Sequence, residues 1–149
     1  MRTFFSPLIL VAALSSACAT ARSHEDVAEC DLGIAVKAAE QGVDDRQIGQ
    51  LFDTADESCE QNKDFMQVLN EALFNALEVN PRSFLYYYSS SHNRSFIREQ
   101  IENPTKNSID LKRIIQQLSD ISPTNQATYD ELMSSLRVAA RVIQTPPPE

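Results

Sequence analysis

Residues 63–81 read KDFMQVLNEALFNALEVNP, and the way their apolar positions recur decides the fold. Phe65, Met66, Val68, Leu69, Ala72, Leu73, Phe74, Ala76, Leu77 and Val79 step at three and four residues on more than one side. Gln67, Asn70, Glu71, Asn75 and Glu78 remain as the polar positions. A helix this apolar has to be covered by neighbours on both sides, so the stretch predicts a helix over 63–79 at the centre of a core. Asn80-Pro81 ends it, because proline cannot continue the hydrogen-bond ladder. Proline can open the next helix at its first turn, with Asn80 as the cap.

Working outward, every neighbouring segment also has the helical period. Towards the N-terminus, Val27, Cys30, Ile34 and Ala38 lie on one face of a helix expected over 25–41, ended by Gly42. A second helix begins near Asp44, with acidic residues in its first turn, and carries Ile48, Leu51, Phe52, Ala55 and Cys59 on one stripe. Two helices folding back at 42–44 pair positions centred on about 44, which sets Cys30 opposite Cys59 at the open end of a hairpin. A disulfide there should contribute about 3–4 kcal/mol through the unfolded state. There is no C-x-x-C spacing and no set of further soft ligands to make the two cysteines a redox or metal pair.

Towards the C-terminus a short helix over 81–89 carries Phe84, Leu85, Tyr86, Tyr87 and Tyr88. Consecutive helical residues point about 100° apart, so at least one of the three tyrosine rings faces solvent. Ser89 to Asn93 reads as a loop, with Asn93 capping a helix that bears Phe96, Ile97 and Ile101 and stops at Asn103-Pro104. A sixth helix shows Leu111, Ile114, Ile115 and Leu118 with Ile121 on one side, and Ser122-Pro123 breaks it. The last, starting between 123 and 129, carries Tyr129, Leu132, Met133, Leu136, Ala139, Ala140 and Ile143, with Thr128 and Glu131 in capping-box spacing. Six to seven antiparallel helices follow, in a compact bundle or a short stack of αα-hairpins: an all-α protein.

Residues 1–21 do not belong to that fold. Arg2, then an apolar run through Leu8-Ile9-Leu10-Val11-Ala12-Ala13-Leu14, then small residues, form the pattern of an export signal too short to span a membrane. Ala17-Cys18-Ala19 and Ala19-Thr20-Ala21 both suit ordinary signal peptidase. Leu14-Ser15-Ser16-Ala17-Cys18 also resembles the lipobox of bacterial lipoproteins, although Ser15 stands where a larger aliphatic residue is usual. The resemblance implies that Cys18 is diacylated and becomes the first residue. Ala19 is not the aspartate that retains many such proteins at the inner membrane, so an outer-membrane address would follow. The expectation is therefore an exported chain, either soluble in the periplasm or anchored through Cys18, with a single α-helical domain over 22–144 and a Pro-rich tail at 145–149. Either route leaves Cys30 and Cys59 as an even pair in an oxidising compartment.

The net charge of -8 is unevenly placed: residues 24–78 hold 14 acidic and 3 basic side chains, residues 79–149 hold 7 and 8. The first half repels nucleic acid and anionic lipid, so neither is expected as a partner; a basic protein, or a divalent cation, is its natural complement. Asp53, Asp56, Glu57 and Glu60 gather carboxylates on one helix without the glycine turn of a calcium loop, and no metal or cofactor is expected. H-E-x-x-H, a phosphate-binding glycine loop and G-x-S-x-G are all missing from the sequence, and no catalytic residues are assigned. Arg82, Tyr86, His92, Arg94 and Arg98 form the densest basic cluster and are the candidates for binding an anion or an acidic partner segment. The competing account pairs Arg98 with Glu102 one turn on and uses the arginines to neutralise the acidic first half. The functional expectation is an exported, non-enzymatic binding protein of the bacterial cell envelope. The alternatives are an inhibitor or immunity protein against a secreted toxin, and an envelope enzyme built on carboxylates.

Overall fold

In the computed structural model, residue 30 and residues 32–40, 43–106 and 108–144 are described. Among them the chain forms seven α-helices and no strand: α1 (Leu32–Glu40), α2 (Asp45–Thr54), α3 (Lys63–Val79), α4 (Pro81–Ser90), α5 (Arg94–Glu102), α6 (Leu111–Ser119) and α7 (Gln126–Gln144). A 3-10 turn, Glu57–Cys59, links α2 to α3. The helix α3 is central as its sequence predicts, touching α1, α2, α4, α5 and α6. Phe65, Leu69, Ala72, Leu73, Ala76 and Leu77 are fully buried along it, and the apolar side chains of all seven helices join in one continuous core. Around α3, the helix α7 lies on α5, α6 and α4, while α4 also packs on α2.

The breaks between helices are set by side chains that satisfy the free amides of each first turn. Asp44 and Gln47 form a reciprocal capping box on α2, with Gln47 N donating to Asp44 Oδ1 at 2.8 Å and Asp44 N donating to Gln47 Oε1 at 2.9 Å. Asn62, Asn80 and Asp110 cap α3, α4 and α6. Asn80 also acts across the fold, since together with Ser83 it donates to the Asp45 carboxylate and fastens the start of α4 to the start of α2.

The structure corrects the sequence reading at four places. The described part of the first helix begins at Leu32, after Cys30; residues 25–29, 31, 41 and 42, and with them Val27 and Gly42, lie outside the described residues. The second helix ends at Thr54 rather than at Cys59, since Asp56 turns its carboxylate onto Ser58 N at 2.8 Å and so favours a tight turn over continued helix. Cys59 therefore meets Cys30 from the 3-10 turn, and the disulfide closes the open end of the α1–α2 hairpin as the spacing predicts. Asn93 precedes α5 but makes no cap; its amide instead donates to the Ala55 carbonyl at 2.7 Å, holding the α4–α5 connection onto the end of α2. Thr128 and Glu131 form no capping box, because α7 starts at Gln126 and Asn125 accepts from Thr128 N at 3.2 Å.

Two asparagines of α3 tie the layers together. Asn70, at 0% exposure on α3, donates to the carbonyls of Gln100 and Asn103 and accepts from both the amide and the hydroxyl of Thr105. One side chain thus fixes the end of α5 and the start of the connection to α6. Asn75 does the same for α1, donating to the Ala38 carbonyl at 2.6 Å.

Candidate functional site

The helix α4 divides its aromatic run by direction. Phe84 and Tyr88 enter the core, where their rings stack with centroids 6.1 Å apart. Tyr87 covers α2, reaching Phe52 and lying directly over Gly49. Tyr86 points away and is 69% exposed, the most exposed large apolar residue among those described. The sequence expectation that at least one ring faces solvent is met here.

Tyr86 stands beside an open groove of about 650 Å³ between α4 and the loop that joins α6 to α7. The α4 wall is Arg82, Leu85, Tyr86 and Ser89, at positions i, i+3, i+4 and i+7, with Ser90 beside them. The opposite wall comes from Asp120 to Asn125, including Ile121 and Pro123. Asn125 lines the groove and also caps α7, so the last helix holds this wall in place. Neither Arg82 nor Asp120 takes part in any of the ion pairs among the described residues.

The five residues singled out from the sequence are therefore not one constellation. Arg82 and Tyr86 share the groove, one turn apart. Arg94 and Arg98 belong to an ionic network elsewhere: Arg94 Nε is 3.5 Å and Arg98 Nη1 3.6 Å from the two Glu131 oxygens, and Arg98 Nε is 3.8 Å from Glu102. The hydroxyl of buried Tyr88 donates to Glu131 Oε1 at 3.2 Å, and Ser135 donates to Glu102 at 2.9 Å. Burial, then the neighbouring Glu131 charge and hydrogen bond, push the Tyr88 phenol far above its ordinary value. The Arg98–Glu102 pair is the one the sequence spacing allows. The neutralisation of the acidic first half is carried instead by Lys106 on Glu71 at 2.7 Å and Arg113 on Glu78 at 2.9 Å.

His92 is exposed in the α4–α5 connection and faces the Asp56 side of the molecule. The Ser58 amide and hydroxyl, which bond Asp56, hold its carboxyl below the usual range; His92 adds a smaller effect in the same direction. Asp53, Asp56, Glu57 and Glu60 do not converge, and among the described residues no three of His, Cys, Asp and Glu are grouped to hold a metal ion. No described helix is long and apolar enough to cross a membrane. Cys18 lies outside the described residues.

Sequence reasoning found Arg82 and Tyr86 but missed Leu85, Ser89 and the whole 120–125 wall. The i, i+3, i+4, i+7 stripe starting at Arg82 was a signal for the first two. The loop carries no such signal, because only the packing of α6 and α7 brings it beside α4. A second groove of about 510 Å³ runs between α6 and the end of α7, lined by Ile109, Lys112, Ile115, Ala140 and Ile143 among others.

Fold and site together define an all-α, disulfide-linked chain with an amphipathic surface groove. Comparison with known proteins adds no relative: no protein family, no curated protein and no solved structure matches the chain.

Proposed function

We propose that this chain is an exported, single-domain binding protein of the bacterial cell envelope, which engages a protein partner through the groove between α4 and the α6–α7 loop. The observation that carries this reading is the pairing of Tyr86 and Arg82 on one rim, both outside the core and both outside the ionic networks. Exposed tyrosine and arginine beside apolar floor residues are the side chains that dominate protein interfaces. Leu85, Ile121 and Pro123 supply that floor. The strongly acidic first half suits a partner whose body is basic and would steer its approach.

A photo-crosslinking amino acid placed at position 86, with the chain expressed in its native host, tests this reading. The expected result is one adduct of discrete mass that disappears on Arg82→Ala and is not formed from the same amino acid at exposed Glu99. Adducts formed equally from both positions, or unaffected by Arg82→Ala, would show that the groove does not select a partner.

A further inference from the structure

The groove has a polarity along α4 that specifies its occupant more closely than "a protein". At one end Arg82 offers guanidinium donors, with none of the ion pairs among the described residues satisfying it. Two turns on, the groove is lined by Ser89 and Ser90, whose single hydroxyl protons are already committed. Ser89 Oγ donates to the Leu85 carbonyl at 2.8 Å, and Ser90 Oγ donates to the Tyr86 and Tyr87 carbonyls at 3.3 and 3.2 Å. A serine oxygen that has given its proton keeps lone pairs, so both present acceptors to a ligand. The Asp120 carboxylate on the facing wall is an acceptor too. Leu85 of α4 and Ile121 and Pro123 of the facing wall supply apolar lining.

A ligand complementary to this surface places an anion at Arg82, apolar side chains against Leu85, Ile121 and Pro123, and N–H donors at Ser89 and Ser90. Arg82 and Ser89 are seven residues apart, about 10 Å along the helix axis. Three residues of extended chain cover the same length. We infer that the groove receives the extended C-terminal three residues of the partner's chain, the terminal carboxylate on Arg82 and the preceding main-chain amides towards Ser89 and Ser90. A C-terminal carboxylate is preferred over an internal acidic side chain because it lies in line with the main chain whose N–H groups the far acceptors need. This inference rests on the proposed use of the groove and names what enters it.

The test uses trileucine, N-acetylated so as to stand for a continuing chain, titrated calorimetrically into the purified oxidised protein. Binding in the millimolar range or tighter is expected. Amidating the peptide's C-terminus should weaken it about tenfold, Arg82→Ala should weaken the free-acid peptide by the same factor, and the two changes together should cost no more than either alone. Equal binding of acid and amide would reduce the groove to a merely apolar patch and overturn the inference. Binding only of a peptide with a free N-terminus would assign the site to free peptides and overturn it as well. Failure of the acetylated peptide while the crosslink from position 86 still depends on Arg82 would remove the C-terminal ligand and leave the binding reading standing; loss of that crosslink would remove both.

Discussion

Asn70 sits in a run of apolar residues as an apparent interruption, yet its amide satisfies four backbone or hydroxyl groups from the α5–α6 region. Asn70→Ala would leave the Gln100 and Asn103 carbonyls and the Thr105 amide without this partner at a partly buried joint, at about 2 kcal/mol in total. A lower urea midpoint with an unchanged slope is the expected result, while Gln67→Ala, on the exposed side of the same helix, should stay within about 0.5 kcal/mol of wild type. Gly49 makes an opposite case. A Cβ there would lie 3.0–3.1 Å from the Tyr87 ring, closer than side-chain carbons normally come. In an open helix, glycine to alanine gains about 1 kcal/mol; under Tyr87 the ring must move away from Phe52 and Tyr86, and the gain is lost. Gly49→Ala should therefore leave the wild type no more stable yet stabilise a Tyr87→Ala background by about 1 kcal/mol, and a double-mutant cycle in urea reads that coupling directly. Neither role is visible in a residue-by-residue pattern, since both depend on what another helix lays across the position.

At the scale of elements, the helices themselves were legible and their joints less so. The bounds of α3, the cap Asn80 and the start of α2 near Asp44 follow from local rules: an apolar period, a capping residue, acidic side chains in a first turn, a proline that cannot continue. Asn93 and Thr128 obey the same local rules and do otherwise, because a distant carbonyl claims the first and an earlier Asn125 pre-empts the second. Glu131, released from any cap, becomes the point where α4, α5 and α7 meet through Tyr88, Arg94 and Arg98. That junction has a signature in pH. Because the buried Tyr88 phenol ionises far above 10.0 when folded, the native state holds its proton where the unfolded chain releases it. Its contribution is full below pH 10, and stability should fall progressively as pH rises above that value. Tyr88→Phe should remove this part of the alkaline slope while costing about 1 kcal/mol at neutral pH through the lost hydrogen bond. Glu131→Gln takes away the charge that helps raise the phenol, so Tyr88 should ionise at lower pH, read as an earlier rise in tyrosinate absorbance. If neither substitution alters the alkaline limb of the urea-stability curve, Tyr88 and Glu131 are not energetically joined.

For the whole molecule, the two cysteines connect architecture with compartment. The disulfide joins residues 29 apart and encloses α1, α2 and the 3-10 turn, so it fastens the first part of the described chain to the position from which α3 departs. Closing a loop of that length restricts the unfolded chain by about 3–4 kcal/mol, a large share of what a domain this size possesses. Structural disulfides are rare outside oxidising compartments, which is the physical reason for expecting an exported protein. The intact mass of the protein taken from its native host, without reductant, examines both halves of this argument. A chain beginning at Cys18 with added acyl groups would tether the domain to a membrane; a chain beginning at Thr20 or Arg22 with no acyl mass would make it a soluble periplasmic binder. In either form reduction should add the mass of two hydrogens and lower the urea stability by the amount above. A mass that still includes Met1 and rises by nothing on reduction would place the protein in a reducing compartment, without the staple and without the export on which its proposed role depends.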